Sequence, residues 1–276
     1  MLPIKLLLKD KIAPLYNYIM ESRSEYLLIS YPKTGRTWLR YLIGNVLFQE
    51  LGIEEPFLSD TNYILKPWKI RDKYETIPSI YYSHDDRPHR KKRLQIESNK
   101  KRFYNKSVIF LYRDPRAVAV SQYYSLKERT LINPYKGSLS EFIRDEEYGP
   151  ANYIHYLNIW MKEKSKFKNI LFLSYEELSL DTKKSLSAVM NILGFNVGND
   201  TLNIAINKSD FKQMQKLEEK EKNNHVIARK NEKKPNSAKM RKGKIDGYRE
   251  ELSEEDLTFL NELISERLDK RYGFQL

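Results

Sequence analysis

The chain has 276 residues, no cysteine, and 49 basic against 37 acidic side chains, which gives a formal net charge of +12. The absence of cysteine excludes disulfides and thiolate metal sites and suits a reducing compartment such as the cytoplasm. The length suits one large α/β domain, and the basic balance suits an anionic ligand. With only four histidines, we predict no metal site.

Residues 1–25 predict a short amphipathic helix that extends the domain at its N-terminus. Their apolar run at 6–8 is interrupted by charged residues and is far shorter than the roughly 20 apolar residues of a membrane span. The segment also lacks the small-residue cleavage site of a signal peptide. We therefore expect no integral membrane span, and a weak contact with a membrane surface is the minority alternative.

A strand, a tight turn and a helix are predicted between residues 26 and 52. The first N–H groups of a helix have no intrahelical partner and carry partial positive charge, so a turn that leads into a helix can bind an anion. Lys33 adds a full charge beside Gly35, and Thr34 and Thr37 add hydroxyl donors. The stretch therefore predicts a phosphate-binding turn.

The remaining chain repeats the order of strand and helix. Further apolar strands are predicted at 80–82, 107–112 and 169–174, and helices follow most of them. This order predicts a single α/β domain over residues 26–276, with a central parallel sheet of about four to five strands flanked by helices. Residues 212–244 are rich in Lys, Glu and Asn, which favours a mobile or lid-like segment within that domain.

Four polar residues follow predicted strands directly: Lys33, His84, Arg113 and Tyr175. Ligands of open parallel sheets bind outside the carboxyl ends of the strands. We therefore expect these four side chains to meet at one edge of the sheet, which packing alone would not explain.

The predicted turn reads Pro-Lys-Thr-Gly-Arg-Thr-Trp over residues 32–38. A Walker loop places its lysine directly after the last glycine, whereas this lysine precedes the glycine by two positions. The order resembles the 5′-phosphosulfate loop of the sulfotransferases that use 3′-phosphoadenosine 5′-phosphosulfate (PAPS). The resemblance implies a P-loop-like site in which the PAPS-binding residues are Lys33, Thr34, Gly35, Arg36, Thr37 and Trp38.

Residues 112–124 read Tyr-Arg-Asp-Pro-Arg-Ala-Val-Ala-Val-Ser-Gln-Tyr-Tyr and resemble the 3′-phosphate motif of the same family. In that motif an arginine at a strand end and a serine eight residues later hold the phosphate, and here those residues are Arg113 and Ser121. A guanidinium offers two parallel N–H donors to a phosphate. Two structural alternatives remain, because Arg113 could pair with Asp114 and Ser121 could be a packing residue.

Two further segments are similar to parts of the same family. Tyr175, which precedes two acidic residues, matches a strand-end tyrosine, and Ser209 and Phe211 match the adenine-contacting segment. Trp38 would supply another face for the base, because aromatic rings stack on bases. Phe211 could equally be a core residue.

A late segment, residues 240–248, resembles the one that returns to the 3′-phosphate. Arg241, Lys242 and Gly243 match it, whereas the following Asp-Gly-Tyr at 246–248 replaces the Gly-Asp-Trp common in the family. The resemblance therefore implies phosphate contacts from these three residues but leaves the geometry of the following loop undetermined.

The resemblance implies a metal-independent sulfotransferase that moves a sulfuryl group from PAPS to a hydroxyl or amine by in-line transfer. PAPS would leave as 3′-phosphoadenosine 5′-phosphate (PAP), and the acceptor would be a small molecule, a glycan or a lipid. Lys33 would stabilise charge on the bridging oxygen of the leaving nucleotide, and Ser121 would divert Lys33 before the acceptor arrives.

Three histidines compete as the base that takes the acceptor proton. His84 ends a strand and resembles the family's catalytic histidine, and Asp85 or Asp86 could orient its ring. His89 lies in a basic run where we expect solvent exposure, and His155 lies in a helix where a structural role is expected. We select His84.

Two other functions compete with this interpretation. A P-loop kinase acting on a small molecule would need magnesium and ATP, but the Gly-Lys-Ser/Thr sequence of its loop is missing. A nucleic-acid-binding protein would use the basic run at 87–106 and would show a steep salt dependence. We expect no nucleic-acid partner, because runs of charge are more often a solvated surface.

Overall fold

The computed structural model describes residues 15–130, 133–221, 227 and 233–275. Its centre is a four-stranded sheet, in which all pairings are parallel and the strand order is β2-β1-β3-β4. The strands are β1 (Tyr26–Ser30), β2 (Ile80–Ser83), β3 (Ser107–Tyr112) and β4 (Asn169–Ser174). The predicted α/β class and parallel sheet are confirmed.

The two central strands are buried on both faces, as their continuous apolar runs predict. Leu27, Leu28 and Ile29 of β1 have no exposed surface, and Leu28 pairs with Tyr82 on one side and Ile109 on the other. Alternate side chains of a strand point to opposite faces, so β1 contributes to two separate hydrophobic cores.

Helices cover both faces of the sheet, and residues 15–23 are helical as well. The helices are α1 (Arg36–Glu50), α2 (Thr61–Ile64), α3 (Pro115–Tyr124), α4 (Leu139–Ile143), α5 (Pro150–Glu163), α6 (Tyr175–Leu180), α7 (Thr182–Ile192), α8 (Asn199–Lys208), α9 (Phe211–Lys220) and α10 (Glu254–Arg267). A π-helical turn, Ser125–Arg129, continues α3, and short 3₁₀ turns occur in several of the loops.

The two faces carry different helices. On the face of Leu28 and Ile109, the core includes buried side chains of α1, α7 and α8. On the opposite face, Phe110 stacks on Trp160 of α5 with ring centroids 4.5 Å apart, and α10 contributes Leu260 and Ile264 to the same core. Both layers leave the carboxyl ends of the strands open.

Part of the segment with lid-like composition is an ordered helix. Residues 212–220 belong to α9, whose Met214 is 1% exposed and whose Glu218 accepts hydrogen bonds from the backbone N–H groups of Lys239 and Met240. The Lys- and Glu-rich composition hides the apolar spacing of Phe211, Met214 and Leu217. That residues 212–244 act as a mobile or lid-like segment stays a prediction. Most of 222–232 lies outside the described residues.

The N-terminal prediction is only partly covered by the described residues. The apolar run at 6–8, on which the membrane-surface alternative depends, lies outside them, while residues 15–23 are helical. Glu21 of that helix is buried and accepts a hydrogen bond from the Ser83 hydroxyl at 2.5 Å. Across the part of the chain that the structure describes, no helix has the length and apolar character needed to cross a membrane.

Candidate active site

A cavity of about 690 Å³ opens at the carboxyl edge of the sheet. Its wall includes Lys33, His84, Arg113 and Tyr175, each of which follows a different strand. The structure therefore brings together the four residues that the parallel topology places at this edge.

The turn after β1 has a backbone that favours close contact with a ligand. Gly35 has a φ of +92°, and a Cβ at this position would lie 2.5 Å from Cδ2 of Tyr175, so only glycine fits. Lys33 also has a positive φ, of 76°, which costs energy in a non-glycine residue and is typical of functional sites. Helix α1 begins at Arg36, and its N-cap Gly35 has no side chain to cap it, so the positive end of α1 lies at the cavity.

Five of the six residues predicted from this turn belong to the cavity wall, and Thr34 is the exception. Thr34 is fully buried, and its hydroxyl donates to the backbone oxygen of Tyr31 at 3.0 Å. The turn itself therefore uses this hydroxyl, and the binding of PAPS by Thr34 stays a prediction.

His84 is held by both ring nitrogens. Its Nδ1 lies 2.7 Å from the backbone oxygen of Ser30 and must donate to it, which leaves a lone pair on Nε2. Arg36 donates to that Nε2 at 2.6 Å and to the Ser83 oxygen at 2.5 Å. Burial, with the charge of Arg36, lowers the pKa of His84 well below its ordinary value. The ring is therefore neutral at physiological pH and has its proton on Nδ1.

Neither Asp85 nor Asp86 orients this ring, so that expectation is wrong. Asp85 is buried and forms ion pairs with Lys100 at 2.6 Å and Arg102 at 2.9 Å, while Asp86 pairs with Lys91. These pairs stabilise the loop directly after His84, where residues 85–87 all have positive φ. Asp85 and Asp86 therefore stabilise the backbone of the loop that follows His84.

His89 packs against His84 and does not extend into solvent. The two rings are 5.8 Å apart and nearly perpendicular, and His89 also contacts Tyr31 with ring centroids 6.1 Å apart. Burial and the neighbouring Arg90 lower the pKa of His89 to about 3. The expectation of solvent exposure is wrong, and the cavity wall contains His84 but not His89.

Arg113 does not pair with Asp114, which instead binds Arg116 at 2.7 Å. The guanidinium of Arg113 lies 4.1 Å from the centre of the Tyr175 ring, and its Nη atoms have only long contacts with backbone oxygens, at 3.5 and 3.3 Å. Its Nε is buried and has no hydrogen-bond partner among the described residues. Ser121, from the following helix, belongs to the same wall. The pair presents donors to an anion in the cavity.

Aromatic side chains form another part of the wall. Trp38 donates from Nε1 to the Ser209 backbone oxygen at 2.8 Å and meets the edge of the Tyr175 ring. Phe211 is 36% exposed, and a Cβ on Gly243, where φ is +66°, would lie 2.3 Å from its ring. The hydroxyl of Ser209 is buried without a hydrogen-bond partner among the described residues. A planar ligand could bind against these rings.

The late segment, residues 240–248, reaches the cavity, and its two predicted phosphate-binding cations already form ion pairs. Arg241 binds Glu251 at 2.6 Å, and Lys242 binds Glu250 at 2.8 Å and Glu251 at 3.1 Å. These carboxylates hold both cations in the wall beside Gly243.

Four further cations of the wall are missing from the sequence-based prediction: Arg40, Arg129, Lys239 and Lys244. Arg40 lies one turn after Arg36 on α1, a spacing that could have indicated it. No motif marks Arg129 and Lys239. Burial, together with the charges of Arg129, Arg241 and Arg113, lowers the pKa of Lys33 to about 7. The cavity therefore suits a ligand with several negative charges.

The sulfotransferase-domain family model matches residues 23–271. The chain belongs to the sulfotransferase family. Mouse sulfotransferase 2A6 is 25% identical over 217 residues, which cover 75% of this chain and 72% of that protein. Mouse sulfotransferase SULT7A1, in a complex with PAP, has a TM-score of 0.61 at 22% identity and covers 90% of this sulfotransferase, with 85% of its own chain aligned.

A retinol dehydratase in a complex with androsterone and PAP has a TM-score of 0.59 at 17% identity, with 91% of this chain and 85% of that chain aligned. The family match confirms the predicted class of enzyme, a sulfotransferase that uses PAPS, and gives no support to the kinase or nucleic-acid alternatives. Within the described ranges, no group of three or more His, Asp or Glu residues is arranged to hold a metal ion.

Proposed function

We propose that this sulfotransferase transfers the sulfuryl group of PAPS to a hydroxyl group of a cytoplasmic acceptor, a small molecule, glycan or lipid, in the cavity at the sheet edge. The observation that carries the proposal is the meeting of Lys33, His84 and Arg113 beside the N-terminus of α1. A cationic lysine, a neutral histidine and an arginine whose Nε has no hydrogen-bond partner among the described residues are the groups that such a transfer needs.

The residues present fit PAPS along its length. Arg113 and Ser121, with Arg241, Lys242 and Gly243, would hold the 3′-phosphate. The N-terminus of α1 would hold the phosphosulfate with Lys33, and Arg36 and Thr37 line that part of the wall. The adenine would bind against the aromatic part of the cavity wall, which Trp38, Tyr175 and Phe211 form together with Ser209.

PAPS supplies the sulfuryl group, and PAP is the product that it leaves. Lys33 would place its ammonium at the bridging oxygen of the leaving nucleotide. Nε2 of His84 would take the proton of the acceptor hydroxyl, which requires Arg36 to release that nitrogen. Ser121 would bind Lys33 until the acceptor is present.

PAP is expected to raise the melting temperature of the protein much more than AMP, which lacks only the 3′-phosphate. A ligand that binds only the folded state stabilises it by about 2.7 kcal/mol at a hundredfold excess over its dissociation constant. Differential scanning fluorimetry with PAP, AMP and ATP measures this difference. Equal shifts with all three nucleotides would contradict the assignment of a 3′-phosphate site.

The variant Arg113→Gln tests the assignment of the 3′-phosphate site by changing the protein instead of the ligand. A hydrogen bond to a charged group contributes about 1.5–3 kcal/mol, so PAP should bind tenfold more weakly or worse. AMP affinity should change little. Loss of both affinities in parallel would show that Arg113 supports the fold of the site rather than the 3′-phosphate.

Binding of PAP at pH 8 is expected to take up protons. The pKa of Lys33 is lowered to about 7, so the free enzyme has lost much of that proton at pH 8. A bound anion favours the charged form and raises this pKa again, so affinity should fall as the pH rises above 7.

Calorimetry in two buffers of different ionisation enthalpy counts the protons. Lys33→Met should lower the uptake, and Lys239, whose pKa is also lowered, should account for part of the remainder. Proton release on binding, or the same uptake in Lys33→Met, would refute the linkage.

A further inference from the structure

The side chain of Arg36 occupies the nitrogen of His84 that would serve as the base. Its Nη2 lies 2.6 Å from Nε2 of His84, and its Nη1 donates to the backbone oxygen of Ser83 at 2.5 Å. Nδ1 of the same ring donates to the Ser30 oxygen at 2.7 Å, so the lone pair of the ring is on Nε2. A hydroxyl cannot give its proton to a lone pair that a guanidinium already holds. His84 is therefore blocked as a base for as long as this contact persists.

Arg36 has no anionic partner that would keep it beside His84. Both of its hydrogen-bond acceptors are neutral, and among the described residues no carboxylate forms an ion pair with it. Desolvation in the cavity wall and the charge of Arg40 lower the pKa of Arg36 to about 9, so the side chain remains a cation at neutral pH. A desolvated cation is stabilised by an opposite charge. An anion within reach would therefore compete with the neutral ring for this guanidinium.

The place for such an anion is the turn that directly precedes Arg36. Arg36 is the first residue of α1, whose unpaired backbone N–H groups and positive dipole favour an anion at this end. Lys33 and Gly35 of the turn line the same cavity as Arg36, and Lys33 adds a second cation. Arg36 thus lies between two competing acceptors, the ring nitrogen of His84 and an anion bound at the start of α1.

We propose that Arg36 is a switch residue that blocks Nε2 of His84 in the enzyme without nucleotide, and that the 5′-phosphate oxygens of bound PAPS draw its guanidinium away from the ring. This inference rests on the proposed function. No covalent bond changes in the exchange, because the guanidinium keeps its protons and Nε2 regains its lone pair. His84 then becomes available to the acceptor hydroxyl only when the sulfuryl donor is in place.

Nitrogen NMR of the histidine rings tests the switch in the intact protein. The chain has four histidines, so selective ¹⁵N labelling gives a simple spectrum, and His84→Ala assigns the Nε2 signal of His84. An unprotonated ring nitrogen moves upfield when it accepts a hydrogen bond. The signal should therefore move downfield when saturating PAP is added. Adenosine 3′-phosphate, which differs from PAP only in lacking the 5′-phosphate, should bind and leave the signal in place.

Two variants of α1 decide whether Arg36 causes the shift. In Arg36→Met the signal should lie downfield without any nucleotide, and PAP should change it little further. The matched control is Arg40→Gln, because Arg40 lies one turn further along α1 and donates to the Leu65 oxygen instead of to His84. Arg40→Gln should keep both the position of the signal and its full response to PAP.

Three results would overturn the inference. One is a His84 signal that PAP leaves unchanged, and another is an equal shift with PAP and with adenosine 3′-phosphate. The third is a signal that Arg36→Met leaves in place, or that Arg40→Gln displaces equally. If Arg36→Met does not fold, the two nucleotides with the unmodified protein decide alone. A failure of PAP to bind the unmodified protein would instead contradict the proposed function, on which the inference depends.

Discussion

The variant His84→Ala is expected to lower kcat by about 10²–10⁴-fold, the range that a positioned general base contributes. The Ser30 carbonyl orients the ring, and burial beside Arg36 keeps Nε2 unprotonated at neutral pH. Since the proposed role of His84 is toward the acceptor and not the nucleotide, PAP should bind the variant with nearly unchanged affinity. Single-turnover assays with labelled PAPS and calorimetry with PAP measure the two quantities.

The matched control is His155→Ala, because His155 lies on α5 in a separate surface groove. It should retain turnover. The contrary result would be an inactive His89→Ala together with an active His84→Ala. It would assign the base to His89, five residues further along the chain. The pH profile adds a further readout: Arg36→Thr should raise the pKa of His84 and move the acidic limb of kcat to higher pH, because one positive neighbour is removed.

The variant Lys33→Met is expected to lower kcat by about 10²–10³-fold at saturating PAPS, as the removal of one preorganised donor from a developing charge does in other enzymes. Lys33 lies with positive φ in the turn before α1, and methionine has a side chain of comparable length for the same backbone position. The lost ammonium should affect the chemical step more than binding, because the N-terminus of α1 and Arg113 still hold the nucleotide.

A matched control is Lys244→Met, since Lys244 lies on the rim and pairs with Glu250 at 2.8 Å. It should retain most of kcat, and both variants should melt near the temperature of the unmodified protein. Normal turnover of Lys33→Met at saturating PAPS would refute the role of the lysine at the leaving oxygen.

The sheet and the four strand-end residues could be predicted because they depend on local pattern. Continuous apolar runs indicate buried strands, and the repeated order of strand and helix makes them parallel, which places Lys33, His84, Arg113 and Tyr175 at one edge. The two phosphate motifs are also local, so a reader of the sequence finds them without the fold.

The partners of these residues could not be predicted, because they come from distant parts of the chain. The carboxylate of Asp85 accepts from Lys100 and from Nε1 of Trp160, which lie 15 and 75 positions away. Arg129 and Lys239 reach the cavity through a π-helical turn and through a segment of uniform polar composition, where no periodicity marks an inward side chain. Arg116 lies only two positions from Asp114, but the motif contains both Arg113 and Arg116 and does not show which of them pairs with the carboxylate.

Transfer of label from [³⁵S]PAPS, measured together with the release of PAP, tests the central claim most directly. With a panel of hydroxyl-bearing small molecules, glycans and lipids as acceptors and EDTA present, the account predicts one PAP for each labelled product, and almost none with Lys33→Met or His84→Ala. Transfer of label from [γ-³²P]ATP instead, dependent on magnesium and absent with PAPS, would contradict it.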